Sequence, residues 1–145
     1  KNAADAGEVP VGAVVTRNDE LVAAGRNCRE LKLDPMGHAE IVALREAADK
    51  LKRWRLHDCV LYVTLEPCLM CAGAIILARI PQLVFAARDP KAGAVVSLYQ
   101  VLQDSRLNHH VEIREGVMSE ESSELLKNFF RTRRTRHLLQ PAAVD

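Results

Sequence analysis

Two short segments of this 145-residue sequence carry side chains that bind metals or move protons. The first contains His38 and Glu40. The second contains Cys68 and Cys71, directly after Pro67. Imidazole and thiolate are common zinc ligands, and three protein ligands leave the fourth tetrahedral position open, as in catalytic zinc sites. We therefore predict one zinc ion held by His38, Cys68 and Cys71. Glu40 is the candidate proton shuttle, because a carboxylate beside such an ion can take a proton from water.

Each segment taken alone allows another interpretation. A Cys-x-x-Cys pair also occurs in redox sites and as half of a structural zinc site. A His-x-Glu segment also occurs where a helix simply begins with a surface carboxylate. In the order His-x-Glu and then Pro-Cys-x-x-Cys, however, the two match the signature of zinc-dependent base deaminases. The combination therefore favours a hydrolytic enzyme.

The elements around these segments predict where they lie. Apolar residues at helical spacing predict a helix over Ala39–Leu51, and Pro67 is expected to open a second helix over 68–79. Strands are predicted at 11–15, 21–25, 59–65, 83–87 and 110–114, and further helices at 97–103 and from Ser119 onward. This order predicts a mostly parallel sheet with helices on both faces. In such sheets, sites form where strands end and helices begin, which is where both segments lie.

The composition limits the classes of protein to which this chain can belong. With 48% hydrophobic and 27% charged residues, the chain is expected to fold as one domain over residues 1–145 rather than remain disordered. A net charge of +1 gives no general affinity for polyanions, so a nucleic-acid site requires a local basic patch. No apolar run is long enough to cross a membrane. Four cysteines without a signal peptide do not indicate a disulfide framework, so we expect a cytoplasmic protein.

Further segments carry a resemblance that spans residues 7 to 134. They are residues 7–13, Asn27, 34–40, 62–74, 87–91, 107–109 and 125–131. In these segments the chain resembles the bacterial tRNA-specific adenosine deaminases of the cytidine-deaminase-like superfamily. The resemblance implies a three-layer α/β/α fold with a five-stranded mixed sheet, one zinc ion per subunit, and a homodimer. It also implies that the wobble adenosine of a tRNA anticodon loop is converted to inosine.

The resemblance assigns roles to individual residues of this chain. It gives His38, Cys68 and Cys71 as zinc ligands. Zinc-bound hydroxide is expected to attack C6 of adenine, with Glu40 passing protons to the ring and to the departing ammonia. The residues implied in substrate binding are Asn27, Ala39, Pro67, Asp89, Lys91, Phe130, Arg133 and Arg134.

Several alternatives stay open on the sequence alone. The chain could be a zinc deaminase of a free base or nucleoside, such as cytosine, cytidine or guanine. The helix predicted between the last two strands and the basic C-terminal region argue against this. It could also be a silent zinc-binding subunit that only docks RNA, although Glu40 argues against that. Asn27 could be a turn residue, Phe130 could belong to the core, and Arg133 with Arg134 could merely complement a helix dipole.

Overall fold

A computed structural model describes the backbone of residues 2–139 and the side chains of residues 3–135. Five strands form one sheet; they are β1 (Gly12–Arg17), β2 (Glu20–Arg26), β3 (Cys59–Leu65), β4 (Gln82–Ala87) and β5 (Glu112–Glu115). The helices are α1 (Asn2–Asp5), α2 (Arg29–Lys32), α3 (Ala39–Leu51), α4 (Leu69–Leu77) and α5 (Ser119–Leu139), with a 3₁₀ turn at Val101–Gln103.

The sheet is mixed, with the strand order β2-β1-β3-β4-β5. Strand β1 is antiparallel to both of its neighbours, whereas β3, β4 and β5 are parallel. Strands β1 and β2 form an antiparallel hairpin, and its turn residues Asn18 and Asp19 have φ values of 50° and 62°. Two positive φ values in a two-residue turn match the twist of the flanking strands. The five-stranded mixed sheet is therefore confirmed.

Side chains alternate between the two faces of the sheet, and helices pack against both faces. One face presents Val15, Leu61 and Phe85 to a fully buried core that includes residues of α3 and α4. On the other face, α5 packs against β3 and β4, and the Ser122 hydroxyl donates a hydrogen bond to the Thr64 carbonyl oxygen at 2.5 Å. Helices therefore lie on both faces, which confirms the three-layer α/β/α arrangement.

A glycine lets α3 lie directly against β2. A Cβ atom at Gly25 would lie 2.1 Å from the Ala39 carbonyl oxygen and 2.6 Å from the Ala43 nitrogen. Both atoms belong to the backbone of α3, so any larger residue would push the helix away from the strand. This close approach fixes the position of the first turn of α3, and with it His38 and Glu40.

Some predicted elements differ from the structure. The helix predicted over 68–79 is α4, which is shorter because Cys68 is its N-cap, so Pro67 does not occupy the first helical position. Of the helix predicted over 97–103, only the 3₁₀ turn forms, because the residues before it are bound to a buried carboxylate described below. One helical turn, α2, lies between β2 and α3, where the sequence analysis predicts no helix.

Within residues 2–139, no helix combines the length and the apolar character needed to cross a membrane. Lys1 and residues 140–145, which the single-domain prediction also includes, lie outside the described residues.

Candidate metal centre and substrate cavity

The two predicted ligand segments meet at one edge of the sheet. Strands β2 and β3 are both antiparallel to β1, so they run in the same direction and end at the same edge. His38 is the N-cap of α3 and Cys68 is the N-cap of α4, and both have extended backbone with φ near −77°. An N-cap residue lies just outside the helix, so its side chain can turn towards a neighbouring element. The ligand segments therefore face each other across the starts of two helices.

The three predicted ligand atoms lie together. His38 Nδ1 is 3.5 Å from Cys68 Sγ and 3.5 Å from Cys71 Sγ, and all three atoms lie within 4.8 Å of one another. Tetrahedral zinc, with Zn–N of about 2.0–2.1 Å and Zn–S of about 2.3 Å, requires nitrogen and sulfur ligands roughly 3.6 Å apart. The donor types and their spacing therefore fit a zinc ion.

The titration of the cluster also fits metal binding. The hydrogen bond from Cys71, helped by the His38 imidazole, lowers the pKa of Cys68 to about 3. The same interaction with Cys68, together with burial, raises the pKa of Cys71 well above its usual range. The hydrogen bond to Cys68 raises the pKa of His38. Without metal, the two sulfurs therefore share one proton as a coupled pair. A thiolate is the form that binds metal, so one sulfur of the cluster is already in the metal-binding form.

Glu40 lies beside this cluster in spite of its spacing from His38. Residues two apart on a regular helix point in nearly opposite directions, by about 200°. Here His38 has extended backbone before the helix and Glu40 is the second helical residue, so both side chains line the same cavity. Glu40 is only 4% exposed, and this burial raises the pKa of its carboxyl group. A carboxyl group with a raised pKa holds a proton more strongly than usual, which suits it to accept a proton and pass it on.

The cavity has a volume of about 220 Å³. Its walls are formed by Val9, Val11, Asn27, Arg29, His38, Ala39, Glu40, Leu65, Glu66, Cys68, Asp89 and Ala92. The apolar part of this wall suits a flat aromatic ring, whereas the polar groups can fix its orientation.

The structure shows a partner of Asn27 that the sequence analysis did not identify. Glu8 is 1% exposed, and its Oε2 accepts a hydrogen bond from Asn27 Nδ2 at 3.1 Å. Its Oε1 accepts a second hydrogen bond, from the backbone nitrogen of Leu31 at 2.7 Å. Asn27 is itself 6% exposed, so it is a buried side chain with a fixed partner rather than a solvent-exposed turn residue.

A second buried carboxylate, also missed from the sequence, organises the loop over residues 89–97. Glu66 accepts hydrogen bonds from the backbone nitrogens of Asp89, Val95, Val96 and Ser97, at 2.7 to 3.1 Å, and from the Ser97 hydroxyl. Burial alone would raise the pKa of Glu66, but these hydrogen bonds outweigh it and lower the pKa. A Cβ atom at Gly93 would lie 2.3 Å from Glu66 Cδ, so the loop needs glycine there to fold over the carboxylate.

Three predicted substrate-binding residues, Asn27, Ala39 and Asp89, line the cavity. Pro67 is fully buried and, within the described chain, is not among the lining residues. Lys91 lies on the loop over 89–97 with an exposed side chain. The structure does not bring the predicted residues of α5, which are Phe130, Arg133 and Arg134, into the cavity wall.

Helix α5 presents an aromatic and basic surface. Phe130 is 43% exposed, so the core position considered for it is wrong. Its ring meets that of Phe129 edge to face, with centroids 5.5 Å apart. The guanidinium group of Arg133 lies 5.5 Å from the Phe129 ring, and Arg134 is also exposed. Exposed rings stack on bases and guanidinium groups bind phosphates, so this surface has the chemistry of an RNA contact.

Comparisons with known proteins agree on one family. The profile of the MafB19-like deaminases matches residues 1–134. The tRNA-specific adenosine deaminase of Bacillus subtilis (strain 168) is 47% identical over 131 residues, which cover 90% of this chain and 81% of the relative.

Solved structures give a similar result. A protein from a study of A-to-I editing by tRNA:A34 deaminases at the wobble position of transfer RNA matches with a TM-score of 0.83 and 40% identity. The match covers 86% of this chain and 91% of that one. Guanine deaminase from Nitrosomonas europaea matches with a TM-score of 0.73 and 27% identity, over 88% of this chain and 76% of the other.

Proposed function

This chain belongs to the MafB19-like deaminase family and to the tRNA-specific adenosine deaminases, and on that premise we propose that it converts adenosine to inosine at the wobble position of a tRNA anticodon loop. The reaction consumes one water molecule and releases ammonia, so the enzyme is a hydrolase acting on a C–N bond. One observation carries the proposal for this chain's own site. His38 and Cys68 line a single cavity together with Glu40 and Asn27, and their ligand atoms lie within 4.8 Å of that of Cys71.

The cofactor in this proposal is one zinc ion per subunit, held by His38, Cys68 and Cys71. When bound, zinc would lower the pKa of water to around 7 and so supply a nucleophile at neutral pH. Glu40 takes a proton from the water that attacks C6 and delivers it to N1 of the adenine. Glu40 then takes the second proton of this water from the new hydroxyl group on C6 and gives it to the amino group, so that the C6–N bond breaks, the C6 carbonyl forms and ammonia leaves. A carboxyl group whose pKa is raised by burial suits both transfers.

The substrate part of the proposal concerns how RNA reaches this cavity. The adenine must leave its stack to enter, and this costs little in an anticodon loop because the loop bases are unpaired. Asn27, Ala39 and Asp89, which line the cavity, would contact the nucleotide, whereas the buried Pro67 would support the cavity from behind. Lys91, Phe130, Arg133 and Arg134 would contact the rest of the loop. The exposure of the last four side chains supports this assignment.

The direct test is a deamination assay with the zinc-loaded protein. The substrate is a tRNA with adenosine at the wobble position, and free adenosine, cytidine and guanine are incubated in parallel. We expect inosine in the tRNA, measured by mass spectrometry of nuclease digests, and little product from the free compounds. Conversion of free guanine alone would instead assign the chain the activity of its Nitrosomonas europaea neighbour and overturn the proposal.

The basic surface of α5 gives a separate prediction. Replacing Arg133 and Arg134 together with alanine should weaken binding to an anticodon stem-loop. It should also reduce the slope of log K against log salt by about 1.5, because each lost phosphate contact contributes roughly 0.7–0.9. Fluorescence anisotropy at several salt concentrations measures both quantities. The control is a double variant with the same charge change, Arg45→Ala with Arg55→Ala, whose exposed side chains lie on and just after α3. Equal slopes for the two double variants would mean that the α5 arginines act only as general surface charge and make no specific phosphate contacts.

We also propose that the protein is a homodimer in the cytoplasm. Three large apolar side chains, Leu69, Leu98 and Tyr99, are at least 50% exposed. They lie near one another, because Cys68 pairs with Gly93 in a β-bridge and the Gly93 carbonyl oxygen accepts hydrogen bonds from the nitrogens of Leu98 and Tyr99. Exposed apolar clusters are typical of protein interfaces. Sedimentation velocity should give twice the mass of one chain, and a monomer at micromolar concentration would exclude a stable dimer.

The cysteines support the proposed cytoplasmic location. The four cysteines are free thiols, which suits a reducing compartment.

A further inference from the structure

We propose that Glu8 is a positioning residue that holds the Asn27 amide in the orientation that reads adenine; this inference rests on the proposed function. The carboxylate of Glu8 is an acceptor only, so the Asn27 group that faces it must be the donor Nδ2. Within the described chain, Glu8 is not among the residues that line the cavity, so it lies behind Asn27. The Asn27 side chain is thus fixed from the side away from the substrate.

This arrangement leaves a defined pair of groups for a ligand. One hydrogen of Nδ2 is bound to Glu8, so the second hydrogen of Nδ2 and the carbonyl oxygen Oδ1 remain. An asparagine amide pairs with adenine through two hydrogen bonds, in which it donates to N7 and accepts from the 6-amino group. The two free groups of Asn27 match this pattern. A flipped amide would instead present its oxygen to Glu8, where two acceptors would repel each other.

Glu8 is itself held rigidly, which makes it able to impose this orientation. Its other oxygen accepts a hydrogen bond from the Leu31 nitrogen at 2.7 Å, in the single helical turn α2. Its side chain is 1% exposed, so solvent cannot substitute for either partner. The Asn27 backbone nitrogen also donates to the Val11 carbonyl oxygen at 3.0 Å, which fixes the base of the side chain. The two ends of Asn27 are therefore both anchored.

The isosteric change Glu8→Gln tests this role. The Leu31 nitrogen is a backbone donor, so it is expected to donate its hydrogen bond to the single side-chain carbonyl oxygen of the glutamine. The glutamine NH₂ group then faces Asn27, and Asn27 must turn its oxygen towards it. In the flipped amide, the donor Nδ2 faces the 6-amino group of adenine, which needs an acceptor there. The shape of the site is unchanged, so the fold is expected to persist.

The first measurement compares two anticodon stem-loops, one with adenosine and one with 7-deazaadenosine at the wobble position. In the unmodified protein, loss of the N7 acceptor should lower kcat/KM by about 10-fold, the effect of one buried hydrogen bond. In Glu8→Gln, the adenosine rate should fall by roughly 10-fold or more, and the penalty for 7-deazaadenosine should shrink below about 2-fold. The control is Glu30→Gln, an exposed glutamate of α2, which should keep the full penalty. A full penalty in Glu8→Gln would overturn the proposal.

A second measurement does not depend on activity. Selective ¹⁵N labelling of asparagine gives side-chain NH₂ signals for five residues, and Asn27→Asp identifies those of Asn27. In the unmodified protein, one of the two hydrogens should be protected from exchange by its bond to Glu8. This protection should vanish in Glu8→Gln, and if it persists, Glu8 does not orient the amide. If the unmodified protein failed to deaminate RNA, the proposed function would fall, whereas the NMR result would still decide the role of Glu8.

Discussion

Replacing Glu40 with glutamine is expected to lower the turnover of adenosine in RNA by about 100- to 10,000-fold, while the protein keeps its metal. Glutamine has nearly the same shape as glutamate but cannot accept a proton from water or pass one to the base. Glu40 is 4% exposed and lines the cavity beside His38, so no solvent molecule can easily take over this task. Single-turnover kinetics on an anticodon stem-loop measure the loss. Metal analysis of the same sample measures zinc.

A matched control for Glu40→Gln lies on the same helix. Glu46 is also on α3, but its partner is the exposed Lys50, at 2.6 Å, in an ion pair between residues i and i+4. Such exposed pairs contribute only about 0.3–0.5 kcal/mol to stability. Glu46→Gln should therefore leave both turnover and zinc content close to those of the unmodified protein. If Glu40→Gln retained turnover within about 5-fold, general acid–base catalysis by this residue would be excluded, since such a group contributes about 100-fold or more.

The elements that carry the predicted metal site follow from local patterns in the sequence. Helix α3 and strand β3 have the same bounds in the prediction and in the structure. In α3 the apolar residues recur at helical spacing, and β3 is apolar on nearly every residue, with Cys59, Leu61 and Val63 buried on its inner face and its outer face only partly covered. The donor types of His38, Cys68 and Cys71 indicate a metal site by themselves. Local pattern and donor chemistry were sufficient for this part.

The parts that the sequence did not reveal depend on contacts between distant residues. Glu66 binds backbone nitrogens 23 to 31 residues further along the chain, and Glu8 binds Asn27 and Leu31, 19 and 23 residues away. A buried carboxylate whose partners are backbone amides leaves no pattern in side-chain types. The same contacts explain the errors in secondary structure. The backbone nitrogens of Val95 to Ser97 bind Glu66 instead of continuing a helix, and the short α2 is held by Glu8.

The cysteine arrangement leads to the second large effect. Cys71→Ser is expected to reduce bound zinc below about one tenth per chain and to lower turnover by at least about 1,000-fold. Serine replaces a thiolate with a hydroxyl group, which is a poor ligand for zinc at neutral pH. Cys71 is fully buried and lies 3.5 Å from His38 Nδ1, so no solvent-borne group can take its place. Dialysed samples are analysed for zinc by mass spectrometry and for turnover on the anticodon stem-loop.

The control for Cys71→Ser must be another buried cysteine outside the cluster. Cys28 is 4% exposed, and its thiol donates a hydrogen bond to the backbone carbonyl oxygen of Gly37 at 3.6 Å. Cys28→Ser can keep this hydrogen bond, so zinc content and turnover should stay within about 2-fold of the unmodified protein, while any general cost of burying a hydroxyl group appears equally in both variants. Circular dichroism shows whether each variant is folded. A folded Cys71→Ser protein that kept a full zinc ion would mean that this sulfur is not a ligand, and the three-ligand centre would have to be abandoned.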